Sequence, residues 1–156
     1  MRHQFLLDEN ILHHAIRGVD RHEKPDDTAA RLVEAIAVAC HSLVIHSEVL
    51  VRYSIILDKL KRERTPFAEP PSFFNQLLKR ADKRTFGYED LPPLPEECDD
   101  IPRKDRYLVQ AAMLSHPLLV TADETLYTSL KNHPELGIEV LWPHEALERA
   151  REKPEN

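Results

Sequence analysis

Only three glycines occur in 156 residues, too few for the tight-turn chemistry of a hairpin-rich all-β fold. Cysteine is as scarce: Cys40 and Cys98, with no C-x-x-C spacing. Neither a disulfide framework nor a structural zinc site is expected, and a reducing cytoplasm is the expected location. No apolar run approaches the roughly 18 residues that cross a bilayer, so no membrane is expected as a partner. Met1-Arg2-His3-Gln4 lacks the apolar centre of a signal peptide. Aromatics make up 6%. Trp142 alone is no base-stacking platform of the kind single-strand binders build from several rings, and reads as core or partner surface. Positive charge is also in deficit, with a net −6, which at first argues against a polyanionic partner.

What remains is a globular composition, 42% apolar, long enough for one core-bearing domain. We read 1–152 as a single domain and 153–156 as a disordered tail. Short β-rich runs alternate with stretches of helical spacing. Strands are predicted at 3–8, 43–45, 118–121 and 138–141, and 85–88 has the makings of another. Helices are predicted at 10–20, from the Asp26-Asp27 cap to Cys40, and then at 47–64 behind a Ser47 cap. Further helices follow at 73–83, 102–115, 124–131 and 143–152, with a break at 69–72. This alternation predicts an α/β fold, a three-layer α/β/α sandwich around a central, mostly parallel sheet.

The acids stand in telling places. Phe5-Leu6-Leu7 leads into Asp8, and Leu118-Leu119-Val120-Thr121 leads through Ala122 into Asp123. Each is a buried strand, an acid, then the start of a helix. Asp105 opens another helix. Each acid alone has an ordinary explanation as a cap or first-turn carboxylate. Together they fall where a parallel sheet's carboxyl edge gathers ligand-binding groups. Carboxylates gathered without bases repel one another unless a hard cation holds them, so a divalent-metal site is expected. Asn10 and Thr121 are polar groups placed to orient such ligands.

Two basic clusters, Lys59 to Arg64 and Lys79 to Arg84, offset the negative net charge locally. Lys61, Arg62, Lys79 and Arg80 are the candidate phosphate contacts, with Arg52. The ordinary reading is solvated helix faces. The nine histidines share no ligand spacing and read as structural or surface residues, while Asp99 and Asp100 read as solvated loop acids. A phospho-acceptor receiver domain would need an acceptor aspartate at mid-chain and a lysine after the last strand, and neither is present.

Four stretches in order resemble the PIN-domain ribonucleases, including the toxin halves of VapBC-type toxin–antitoxin pairs. They are Phe5-Leu6-Leu7-Asp8-Glu9-Asn10-Ile11-Leu12, Leu43-Val44-Ile45-His46-Ser47-Glu48-Val49-Leu50, Lys104 to Ala112, and Leu119-Val120-Thr121-Ala122-Asp123-Glu124-Thr125-Leu126. The resemblance implies an RNA-cleaving domain using Mg²⁺ or Mn²⁺, with Asp8, Asp105 and Asp123 on the metal-binding positions. It also implies RNA as substrate, and a small antitoxin or a second copy of the chain as protein partners. One position departs from the pattern. Arg52 occupies the slot of the family's helical glutamate, one turn beyond Glu48. Either Glu48 supplies that carboxylate from a shifted position, or Arg52 repels the metal and leaves a catalytically weak domain that binds RNA or protein.

Overall fold

Five parallel strands form one sheet in the order β3-β2-β1-β4-β5: β1 (Gln4–Leu7), β2 (Ser42–His46), β3 (Arg84–Gly87), β4 (Leu118–Val120) and β5 (Glu139–Leu141). The computed structural model describes residues 2–62, 77–87 and 89–152. The expected tail at 153–156, the break at 69–72 and the first part of the 73–83 helix lie outside the described residues. Helices follow the strands as predicted: α1 (Glu9–Arg17), α2 (Thr28–Val38), α3 (Ser47–Arg62), α4 (Arg106–Ser115), α5 (Glu124–Lys131) and α6 (Pro143–Arg151).

The order places the chemistry. From β1 the chain steps outward to β2 and β3, then returns across the sheet to β4 and β5. Right-handed crossovers in opposite directions put their helices on opposite faces. Accordingly α1 packs on α2 and α3, and α2 on α6, while α4 and α5 serve the returning crossovers. The central strands are buried on both faces, with Phe5, Leu6, Leu7, Leu43 and Ile45 fully covered, whereas edge strand β3 is partly exposed. That burial is why the central strands read as continuous apolar runs rather than alternating ones. Three layers result, α/β/α, as the alternation predicts.

Local differences from expectation have identifiable causes. α1 ends at Arg17 rather than residue 20 because Gly18 turns left-handed (φ 66°), its N–H donating to the His14 carbonyl. Residues 103–105 form a 3₁₀ turn, so α4 begins only after Asp105. β3 does exist, paired with β2 from Leu43↔Arg84 to His46↔Gly87. The helix expected to reach residue 83 stops at Arg80, which is extended. Lys83 is buried and donates to the carbonyls of Ile36, Ala39 and His41. It thereby satisfies acceptor carbonyls at and just past the end of α2.

Candidate functional site

The β1–β4 ladder runs one step past the end of β1: the Asp8 N–H donates to the carbonyl of Val120, the last residue of β4, at 2.9 Å. This register sets Asp8, at the end of β1, against Thr121, at the end of β4. The Thr121 hydroxyl donates to Asp8 Oδ2 at 2.8 Å and accepts from the Asp123 N–H at 3.0 Å. One buried hydroxyl thus ties together acids that are far apart in the chain. Asp123 caps α5, its Oδ1 accepting from the N–H groups of Thr125 and Leu126, while its Oδ2 faces Lys104 Nζ at 3.3 Å. The cap and the cluster coexist in one side chain, because the two carboxylate oxygens divide the work.

Asp105 arrives from a different element, the 3₁₀ turn ahead of α4. It is 5% exposed, and its Oδ2 is buried without a hydrogen-bond partner among the described residues. Asn10 Oδ1 is in the same condition. Burial pushes the Asp8 carboxyl up to about 7; the Thr121 bond opposes this, and the charges of Asp105, Glu9 and Asp123 add to it. Burial likewise raises Asp105 to about 6, with Asp123 and Glu9 adding to it and Lys104 opposing. Carboxylates that hold protons near neutrality lack counter-charge. Buried, unpartnered oxygens are the donor type that a hard dication takes, and in that chemistry the residues present fit Mg²⁺ or Mn²⁺. Oxygens of Asp8, Asp105 and Asp123 do not all lie within 4.8 Å of one another, so the acids would draw together to share one ion.

A further acid, Glu9, acts on the cluster through its charge. Glu9 opens α1 beside Asp8, and its charge acts on Asp8 and Asp105. Glu48 is exposed at the start of α3. The expected Ser47 cap is replaced. α3 begins at Ser47, and His46 caps it, its Nδ1 accepting from the Glu48 N–H at 3.2 Å while Nε2 bonds the Glu89 carbonyl at 2.7 Å.

Arg52 does come to the rim of the site. Its guanidinium carbon lies 5.0 Å from the centre of the Tyr107 ring. Burial raises the Tyr107 hydroxyl beyond the physiological range, and the charges of Glu9 and Asp8 add to this. Tyr53, buried below, donates to the Leu7 carbonyl at the end of β1. These two tyrosines and Lys104 were not singled out from the sequence. The only signal for Lys104 was its place directly ahead of Asp105.

The other basic candidates lie elsewhere. Lys79 and Arg80 precede β3 at its amino end, the edge opposite the acids, and Arg80 is paired with Asp82 at 2.9 Å. In the same cluster Lys83 is used on α2, and Arg84 donates to the Leu78 carbonyl and stacks on Phe86. α3 starts at the carboxyl edge and carries Arg62 about 20 Å away from it along the helical rise; the side chain of Lys61 lies outside the described residues. Among the described residues, no basic track from either cluster borders the acids. A cleft of about 400 Å³ opens instead beside Ala122, with His14, Arg21, His22, Trp142 and His144 among its walls. Trp142 stacks on Tyr127 with ring centres 4.2 Å apart and carries the Arg21 guanidinium at 5.0 Å.

No helix among the described residues is long and apolar enough to cross a membrane. No protein-family model matches the chain, and no curated protein matches it. Among solved structures the chain is similar to a PilT N-terminus domain protein from the hyperthermophilic archaeon Sulfolobus solfataricus P2. The two share 13% identity, 98% of each chain is covered, and the TM-score is 0.49.

Proposed function

We propose that this chain is a divalent-metal-dependent nuclease that hydrolyses RNA phosphodiester bonds, with Asp8, Asp105 and Asp123 holding Mg²⁺ or Mn²⁺. The observation that supports it most is the Thr121 hydroxyl joining Asp8 to Asp123, with Asp105, whose charge acts on Asp8, buried and its Oδ2 unpartnered among the described residues. The resemblance of their flanking residues to PIN-domain ribonucleases supports RNA as the substrate, and extends to a toxin role with a small antitoxin as partner.

When bound, such an ion supplies Lewis-acid activation of water and charge stabilisation at the phosphodiester. The chain supplies everything else. Asp8, Asp105 and Asp123 bind in their ionised forms, and Thr121 holds Asp8 and the backbone of Asp123 in fixed relation. Lys104 offers an exposed ammonium that meets a phosphate once Asp123 is occupied. Arg21 on Trp142 offers a cation on an aromatic face within the adjacent cleft, a surface that suits a nucleotide next to the scissile one.

The test is cleavage of single-stranded and structured RNA with and without Mn²⁺. Cleavage that needs the ion and vanishes in Asp8→Asn is the expected result, and activity retained in that variant removes Asp8 from the mechanism. A second reading, a domain that binds RNA without cutting it, is favoured by Arg52 standing on Tyr107 at the rim of the acids. A folded wild type that binds RNA but shows no ion-dependent cleavage selects that reading.

A further inference from the structure

Away from the acids, a second constellation joins residues that no sequence spacing connects. Cys98 ends the 3₁₀ turn Glu96–Cys98, and His133 lies just past α5, ahead of the 3₁₀ turn Pro134–Leu136 that contains Glu135. The Cys98 Sγ, a His133 ring nitrogen and a Glu135 carboxylate oxygen all lie within 4.8 Å of one another. The His133 ring is held from both sides: Nδ1 is 2.8 Å from Glu135 Oε1, and Nε2 is 2.6 Å from Asp100 Oδ1. We propose that Cys98, His133 and Glu135 form a transition-metal site of the class that takes Zn²⁺, with Asp100 as the carboxylate that orients the histidine.

The chemistry of the donors selects the ion. A thiolate and an imidazole beside one carboxylate suit Zn²⁺ and its neighbours, whereas Mg²⁺ and Mn²⁺ prefer oxygen alone. A histidine ligand almost always donates its other ring N–H to a carboxylate or carbonyl, which fixes the tautomer and strengthens the ligand. Asp100 already stands in that relation to Nε2, leaving Nδ1 on the side of Glu135. Coordination displaces the proton shared by Nδ1 and Glu135 and the proton of the Cys98 thiol, while the Nε2 proton stays on the Asp100 bond.

Access suits a surface-loaded site. Cys98 is buried at 2% exposure, and the side chains of Glu135 and Asp100 are 56% and 46% exposed. Three protein ligands leave a fourth tetrahedral position for water on that open side. The site is distinct from the acids, since Asp123 begins α5 and His133 lies beyond its far end, about 12 Å along the helical rise. It also has a structural consequence. Residues 98–100 lead directly into the turn that carries Asp105, and the Ser129 hydroxyl donates to the Asp100 carbonyl from α5 at 3.4 Å. An ion here pins the approach to Asp105 against the end of α5.

The test is Co²⁺ titration of the metal-stripped, reduced full-length protein, read by absorption, with Zn²⁺ as competitor. A sulfur-to-cobalt charge-transfer band in the near ultraviolet, bleached by Zn²⁺, is expected. The band should persist in Asp8→Asn and in Cys40→Ser, and vanish in Cys98→Ser and His133→Gln. Asp100→Asn should weaken the affinity about 10- to 100-fold. Glu135→Gln, an exposed change that leaves the fold intact by circular dichroism, should weaken it too. No band from folded wild type, or a band that survives Cys98→Ser, overturns the assignment.

Discussion

At the residue scale, Asp8 carries a conflict between stability and chemistry. Its carboxyl is 3% exposed and raised to about 7, so ionising it without a cation costs stability that a neutral side chain would not lose. Asp8→Asn keeps an oxygen for the Thr121 hydroxyl and removes the titration. It should therefore abolish ion-dependent cleavage while stabilising the ion-free protein by about 1–3 kcal/mol at pH 8, as read from urea unfolding. Destabilisation by Asp8→Asn would show that the carboxylate is already neutralised. Thr121 has the opposite profile. It is fully buried, and Thr121→Val strands both Asp8 Oδ2 and the Asp123 N–H, at a cost of about 1–3 kcal/mol. Thr121→Ser should recover most of that loss, whereas a pure packing role would leave the serine variant no better than the valine one.

At the scale of elements, the ends of strands and helices hold the information that local pattern misreads. Ser47 looks like the cap of α3 because serine is a favoured N-cap, yet β2 runs to His46 and the His46 ring performs the capping. The tautomer follows from its partners: with Nε2 donating to the Glu89 carbonyl, Nδ1 is left to accept the Glu48 N–H. His46→Ala should lower stability by about 0.5–2 kcal/mol, and His46→Asn should retain part of the cap. Equal losses in the two variants, measured by thermal unfolding, would show that the Glu89 bond matters and the cap does not. Lys83 makes the same point about the end of α2. In the sequence it belongs to a run of bases; in the fold it is a buried donor to three carbonyls. Helix periods and strand compositions were legible over most of the described residues, since apolar spacing is a local property. The work of a terminal polar side chain was not, because its partner comes from another element.

For the molecule as a whole, the raised acids set the pH response. Asp8 at about 7 and Asp105 at about 6 both stand above their ordinary 3.8. Between about pH 4 and pH 7 the folded protein holds protons that the unfolded chain has already released, so stability falls as pH rises through that window and levels off above it. The melting temperature of ion-free protein should follow this course. Mg²⁺ or Mn²⁺ should offset the fall above about pH 6, because ions bind the deprotonated carboxylates. A melting temperature that is flat from pH 4 to pH 8, without ions, would refute buried, uncompensated acids. The sequence by itself determined the α/β alternation, the parallel strands and the placing of Asp8, Asp105 and Asp123 at element ends, because each of these follows from periodicity and from what a strand-to-helix turn accepts. Only the tertiary structure decided that Glu9 adds its charge to theirs, that the described residues of both basic clusters lie away from them, and that Cys98, Asp100, His133 and Glu135 meet. The physical reason is strand order: β1 lies between β2 and β4, and the crossovers fold distant turns onto shared edges. No local spacing encodes which turns those are.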